Sequence, residues 1–159
     1  MNKPPLRALI AEDSEDDALL LARHLQQGYE LTHLRVDTPD GLRQALQQGE
    51  WDVVLSDHSM PNFDSFDALQ IVRQSGRDLP FIIVSGTMGE DLAVEAIKAG
   101  VNDYLLKNNL KRLLPAIERE LQAAQARHAQ SRSELLLSKL FTVVEQIADS
   151  VYITGRNGV

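Results

Sequence analysis

Three acidic residues and one lysine carry the chemistry this chain could do: Glu12, Asp13, Asp57 and Lys107. Each lies at the end of a short apolar run, LRALIAED, DVVLSD or DYLLK. If those runs are parallel strands, their carboxyl ends meet on one edge of a sheet, where open α/β sheets place their ligand sites. Three carboxylates crowded there repel one another unless a hard divalent cation sits among them. A lysine beside them suits an incoming phosphoryl group better than a neutral substrate. These residue types together point to a magnesium-dependent aspartyl-phosphate switch.

Taken singly, each residue has a plainer role open to it. Asp57 could cap a turn, and Glu12 and Asp13 could cap a helix beginning near Ser14. Their placement on neighbouring strands that end on one sheet edge favours a joint site. Oxygen-only ligands with room for water suit magnesium better than zinc. Ser85 ends a further strand, and its hydroxyl could bond a phosphoryl oxygen. Lys107 could neutralise phosphoryl charge or hold Asp57 beforehand, and a lysine at the end of a buried strand needs a partner. Tyr104 could turn between a buried and an exposed position, or be an ordinary half-buried strand aromatic. The four histidines, His24, His33, His58 and His128, lack metal-ligand spacing. His58 reads as a loop residue.

Alternating patterns position these groups. Strands are expected at Leu6 to Ala11, Leu31 to Val36 (polar, hence an edge), Val53 to Ser56 (wholly apolar, hence central), Phe81 to Val84 and Asp103 to Leu106. Helices are expected at Ser14 to Gln27, with Leu19, Leu20 and Leu25 buried, at Pro39 to Gln48, with Leu42, Ala45 and Leu46 apolar, at Ser65 to Gln74 and at Glu90 to Ala99. A fifth helix follows from Leu110, with Pro115 compatible with its first turn. Five strands alternating with five helices is a doubly wound parallel sheet.

The chain has 159 residues, enough for one full domain and an appendage. Its net charge of −7 argues against a nucleic-acid surface, which needs a clustered basic face. With no cysteine, disulfides and thiolate metal sites are excluded. No apolar run approaches the roughly 20 residues of a membrane span, and MNKPPLRALIAED is not a signal peptide. A cytoplasmic location is the expectation.

The last segment behaves differently. Leu110, Leu114, Ile117, Leu121 and Ala124 have a/d spacing, extending past what one sheet needs, and are expected to form a homodimer seam. The polar stretch QARHAQSRSE interrupts it, as either a solvated helix or a two-stranded coiled coil. Val151 to Thr154 then reads as a strand and Gly-Arg-Asn-Gly as a hairpin turn. A hairpin with one arm is not a domain, so the sequence reads as a fragment cut at the start of a second domain.

The ordered set Glu12-Asp13, Asp57 with Met60-Pro61 behind it, Ser85, Tyr104 and Lys107 resembles the receiver domain of bacterial two-component response regulators. The resemblance covers residues 5–125 and implies a five-stranded flavodoxin-like sheet with phosphate passing to Asp57 from a phosphohistidine of a sensor kinase or phosphotransfer protein. It implies that Asp13 and Asp57 bind Mg2+ directly with the Ser59 carbonyl, that Glu12 helps through water, and that Asp57, Lys107 and Ser85 are the catalytic set. Ser85 and Tyr104 would be the switch pair, and Ser59 and Thr87 flank the site. The chain departs from the family pattern at Ser65, where glycine is common, and at Asn108, where proline is common. Residues 126–139 are then a helical linker. The tail FTVVEQIADSVYITGRNGV, within residues 140–159, resembles the opening of a PAS domain, which implies a PAS-linked output such as cyclic-di-GMP synthesis or breakdown. On this reading the chain itself does no more than take up and lose its own phosphate. Two alternatives are an unphosphorylated receiver serving only as a dimerisation module, and a magnesium-dependent phosphatase with an aspartate nucleophile. The phosphatase usually wants a second aspartate where this chain has Ser59.

Overall fold

The computed structural model describes residues 2–86 and 89–157, with side chains described as far as residue 147. The chain divides into two compact units, Met1–Ala124 and Gln125–Val159. In the first unit, strand and helix alternate: β1 (Pro5–Ala11), α1 (Glu15–Gln26), β2 (Glu30–Val36), α2 (Pro39–Gln48), β3 (Val53–Ser56), α3 (Ser65–Gln74), β4 (Phe81–Ser85), α4 (Glu90–Ala99) and β5 (Asp103–Leu106). A single 3-10 turn, Leu110–Arg112, leads into α5 (Leu113–Asn157). The strands pair in parallel in the order β2-β1-β3-β4-β5, a flavodoxin-like sheet.

Side-chain alternation splits each strand between two cores. In β1, Leu6, Ala8 and Ile10 join α1 and α5 on one face, while Leu9 and Ala11 join α2 and α3 on the other. In β4, Ile82 and Val84 take the first face, and Phe81 and Ile83 the second. A strand covered on both sides has little use for polar residues, which explains why β3 is apolar up to its last residue, the buried Ser56. Edge strand β2 buries only Val36.

Local chemistry starts and stops the helices. The Ser14 Oγ accepts the Asp17 N–H at 3.2 Å, and the Thr38 Oγ1 accepts the Gly41 N–H at 3.0 Å. Asp64 and Asp67 exchange side-chain-to-backbone bonds in a capping box that opens α3. Gly100, at φ 105°, closes α4 in the left-handed region.

Three expectations are corrected. Leu19 and Leu20 are exposed (48% and 42%), because the buried stripe of α1 is Ala18, Leu21, Ala22 and Leu25, the true i, i+3, i+4, i+7 face. The anticipated dimer seam is used within the chain. Leu110, Ile117 and Ala124 are buried, and Leu114 and Leu121 pack partly buried against the core on the α1 face of the sheet. Finally, Val151–Thr154 lies within α5, so the expected strand does not form. A strand needs a neighbour to bond its backbone, whereas a helix satisfies that backbone locally. Of the expected hairpin turn, Gly155 to Asn157 are helical and Gly158 lies outside the described residues.

The side chains of residues 125–147 are exposed throughout, including Leu135, Leu136, Leu137, Leu140, Phe141, Val143, Val144 and Ile147. The two stretches of α5 should therefore answer differently to truncation. Ile117→Ala, at a fully buried position, should lower unfolding free energy by about 2–5 kcal/mol. Leu140→Ala should change the unfolding of the same unit by less than about 0.5 kcal/mol. Urea denaturation followed by circular dichroism measures both.

Candidate functional site

Strand register brings the acidic residues together. Ala11 of β1 pairs with Ser56 of β3, so Glu12 and Asp57 follow side by side. The Asp57 N–H donates to the Ala11 carbonyl at 2.9 Å, and the Glu12 N–H to the Val36 carbonyl at 3.0 Å. Carboxylate oxygens of Glu12, Asp13 and Asp57 lie within 4.8 Å of one another. Glu12 and Asp57 are buried and Asp13 is exposed, so the cluster opens to solvent on one side. Three hard oxygen donors with an open side fit a magnesium ion that keeps part of its water.

On the far side of β3, Ser85 of β4 pairs with Leu106 of β5, and Lys107 is next. Its N–H donates to the Ser85 carbonyl at 2.8 Å, tying the two strand ends together. The Lys107 Nζ lies 2.8 Å from Glu12 Oε2, 2.8 Å from Asp17 Oδ2 and 3.5 Å from Asp57 Oδ2. Burial works against its charge, but the hydrogen bond to Asp17, the ion pair with Glu12 and the charge of Asp57 outweigh that, holding the ammonium well above its ordinary range. Glu12 moves the other way from a free carboxyl. Burial raises it, with a smaller push from Asp57, and Lys107 only partly offsets this, leaving it pushed up to about 7.

Ser85 is buried at the end of β4, and alternation along the strand puts its side chain on the Phe81 and Ile83 face. Tyr104, opposite Ile83, packs half-buried on that same face. Its ring also lines a cleft with Gly89, Glu90, Ala93, Leu106, Asn109 and Arg112. Ser59 lies exposed in the loop after Asp57. Thr87 lies outside the described residues.

Sequence reasoning missed two features. His58 does more than occupy the loop. Its Nδ1 hydrogen-bonds the fully buried Ser65 Oγ at 2.7 Å, its carbonyl accepts the Ser65 N–H at 3.1 Å, and its ring meets Phe66 edge-on. The departure from glycine at Ser65 is thus filled by a specific contact. Asp17 is the other. Its only sequence signal is its position three residues past the cap Ser14, in a first turn that starts at the site edge.

A family profile for the response regulator receiver domain matches residues 8–118. The chain belongs to this family, the receivers of two-component systems, which serve phosphorylation-dependent signalling and work with a histidine kinase or phosphotransfer partner. It is similar to the C4-dicarboxylate transport transcriptional regulatory protein DctD of Pseudomonas aeruginosa, with 37% identity over 95 residues, 58% of this chain and 21% of that protein. Chemotaxis protein CheY of Treponema pallidum is 29% identical over 109 residues, 67% of this chain and 75% of that protein. A signal receiver domain from Vibrio parahaemolyticus superposes with a TM-score of 0.69 at 26% identity, covering 79% of this chain and 96% of that one. The chain spans 21% and 43% of the lengths of two transcriptional regulators it matches. No described helix is long and apolar enough to cross a membrane.

The raised Glu12 carboxyl has a definite pH signature. The folded chain holds this proton more tightly than the unfolded chain, so the group's contribution to stability falls as pH rises from 4.5 to about 7. Without divalent cations, the melting temperature of the wild type should drop across that window relative to Glu12→Gln. A constant difference between the two proteins in thermal melts would show that Glu12 titrates as an ordinary carboxyl.

Proposed function

We propose that this receiver accepts a phosphoryl group on Asp57. The observation that carries the reading is the gathering of the Asp57 carboxylate with those of Glu12 and Asp13 in one cluster, with the Lys107 ammonium 3.5 Å from Asp57. A carboxylate oxygen of Asp57 attacks phosphorus in line with the departing group, whose bond to phosphorus breaks and which leaves with the electron pair. From a phosphohistidine the leaving group is the imidazole nitrogen; from acetyl phosphate it is acetate. Lys107 meets the charge on the transferred phosphoryl oxygens. Asp13, Asp57 and the Ser59 carbonyl would hold Mg2+, with Glu12 acting through water. The ion would supply positive charge against both the carboxylates and the phosphoryl oxygens.

Ser85 and Tyr104 act as the switch pair in this reading. The Ser85 hydroxyl turns to a phosphoryl oxygen, and Tyr104 follows inward on the same sheet face, changing the surface around β4, α4 and β5. The helix α5 carries the change onward. Residues 126–139 serve as the helical linker, and the resemblance of 140–159 to a PAS opening supports a PAS-linked output, cyclic-di-GMP turnover among the options. The helical backbone over Val151–Thr154 does not supply the strand such an opening would use. A cytoplasmic setting follows from the partnership with a kinase.

Homodimerisation also belongs to this proposal, through a different stripe from the expected seam. Leu136, Leu140, Val143 and Ile147 repeat with alternating spacings of four and three, and all are exposed.

Acetyl phosphate with magnesium should add a single phosphate to the wild type, and chelation of the ion should prevent it. Asp57→Asn should stay unmodified in intact-mass spectra; equal labelling of this variant would remove Asp57 as the acceptor.

Sedimentation should show a concentration-dependent dimer for the full chain. Leu140→Glu should shift it to monomer, while Leu121→Glu should instead destabilise the fold. A wild type that stays monomeric at high concentration, with and without phosphate, would rule out the α5 stripe as a dimer contact.

A further inference from the structure

We infer that Asp17 is a positioning residue that holds Lys107 in the resting site and thereby restrains phosphate uptake. This inference rests on the reading of Asp57 as acceptor. Asp17 is the third residue of α1, where an acid after a serine cap ordinarily reaches back to the cap's own N–H. The same chain shows that arrangement in α3, where the Asp67 carboxylate accepts the Asp64 N–H at 3.2 Å. In α1 the cap N–H is taken by another group: Ser14 donates to Glu12 Oε1 at 3.1 Å. The Asp17 carboxylate is thereby released from capping and bonds the Lys107 Nζ at 2.8 Å, closer than Asp57 at 3.5 Å.

Lys107 thus has a competing partner ninety positions away in sequence. For the ammonium to meet an incoming phosphoryl group, its bond to Asp17 must break or stretch. A second route, plain repulsion between the Asp17 carboxylate and the incoming anion, is not part of the inference and serves as its control. The first effect acts through Lys107 and the second does not, so the two can be separated.

The experiment follows the initial rate of labelling by acetyl phosphate with magnesium in the full chain. In the reaction an Asp57 oxygen bonds phosphorus, the bond from phosphorus to the acetate oxygen breaks, and acetate leaves with that electron pair. Asp17→Asn retains the cap, because Ser14 bonds the backbone N–H of Asp17. This variant should label about threefold faster, the size expected for a half-exposed ion pair. In a Lys107→Met background, followed by mass spectrometry over long incubation, the same substitution should change nothing. Asp16→Asn, which removes an exposed carboxylate from the same helical turn, should label at the wild-type rate.

An equal acceleration with and without Lys107, an equal effect from Asp16→Asn, or no acceleration at all would each overturn the inference. Labelling of Asp57→Asn would instead bring down the acceptor reading. An unlabelled Asp57→Asn together with an unresponsive Asp17→Asn would remove the role of Asp17 alone.

Discussion

Like charge held at one sheet edge is the constraint around which this receiver is arranged. Two buried carboxylates at the separation seen for Glu12 and Asp57 repel by on the order of 3 kcal/mol at an effective dielectric of about 20. Parallel pairing of β1 and β3 forces that proximity, since the residues after Ala11 and Ser56 have nowhere else to go. The chain relieves the repulsion in two ways visible in its own groups. Lys107 reaches in from β5 and takes Glu12 and Asp17. Glu12, the most buried of the acids, holds its proton to a higher pH than a free carboxyl. A site in this condition fits a small divalent cation, whose charge would offset the repulsion among the three carboxylates.

The scaffold that maintains this tension is rigid where it must be. β1, β3 and β4 are buried on both faces, so a slip in register would misfit side chains in two cores at once and part the residues that follow Ala11 and Ser56. The functional groups sit just beyond the strands, on segments tied back by single bonds. Asp57 is anchored through its N–H to Ala11, Lys107 through its N–H to Ser85, and the loop after Asp57 through His58 and Ser65.

Helix α5 serves two purposes along its length. Up to Ala124 its apolar residues complete the core on the α1 face, with Leu113 and Ile117 fully buried. Beyond Gln125 its large apolar side chains are exposed. The helix is a structural layer in the first unit and presents an exposed apolar stripe in the second. In such a helix the same heptad arithmetic describes both parts, so spacing alone does not say which stretch serves the chain's own core.

The alternation of elements, the bounds of α2, β3, α3, α4 and β5, and the meeting of Glu12, Asp13, Asp57 and Lys107 were legible along the chain, because they depend on local periodicity and on the end to which parallel strands run. Competition between distant groups was not legible there, because it is resolved only when the elements pack. Leu19 and Leu20 look like core residues until the sheet fixes which stripe of α1 faces it. Leu110, Leu114, Ile117, Leu121 and Ala124 look like a seam until α5 lies on β1 and β3. Val151 to Thr154 has strand composition but no strand beside it. The partner of Lys107 was the least legible. Asp17 becomes a candidate only when ninety residues of chain fold its helix start against the end of β5, where it shares the lysine with Glu12 at the same 2.8 Å while Glu12 also takes the Ser14 N–H.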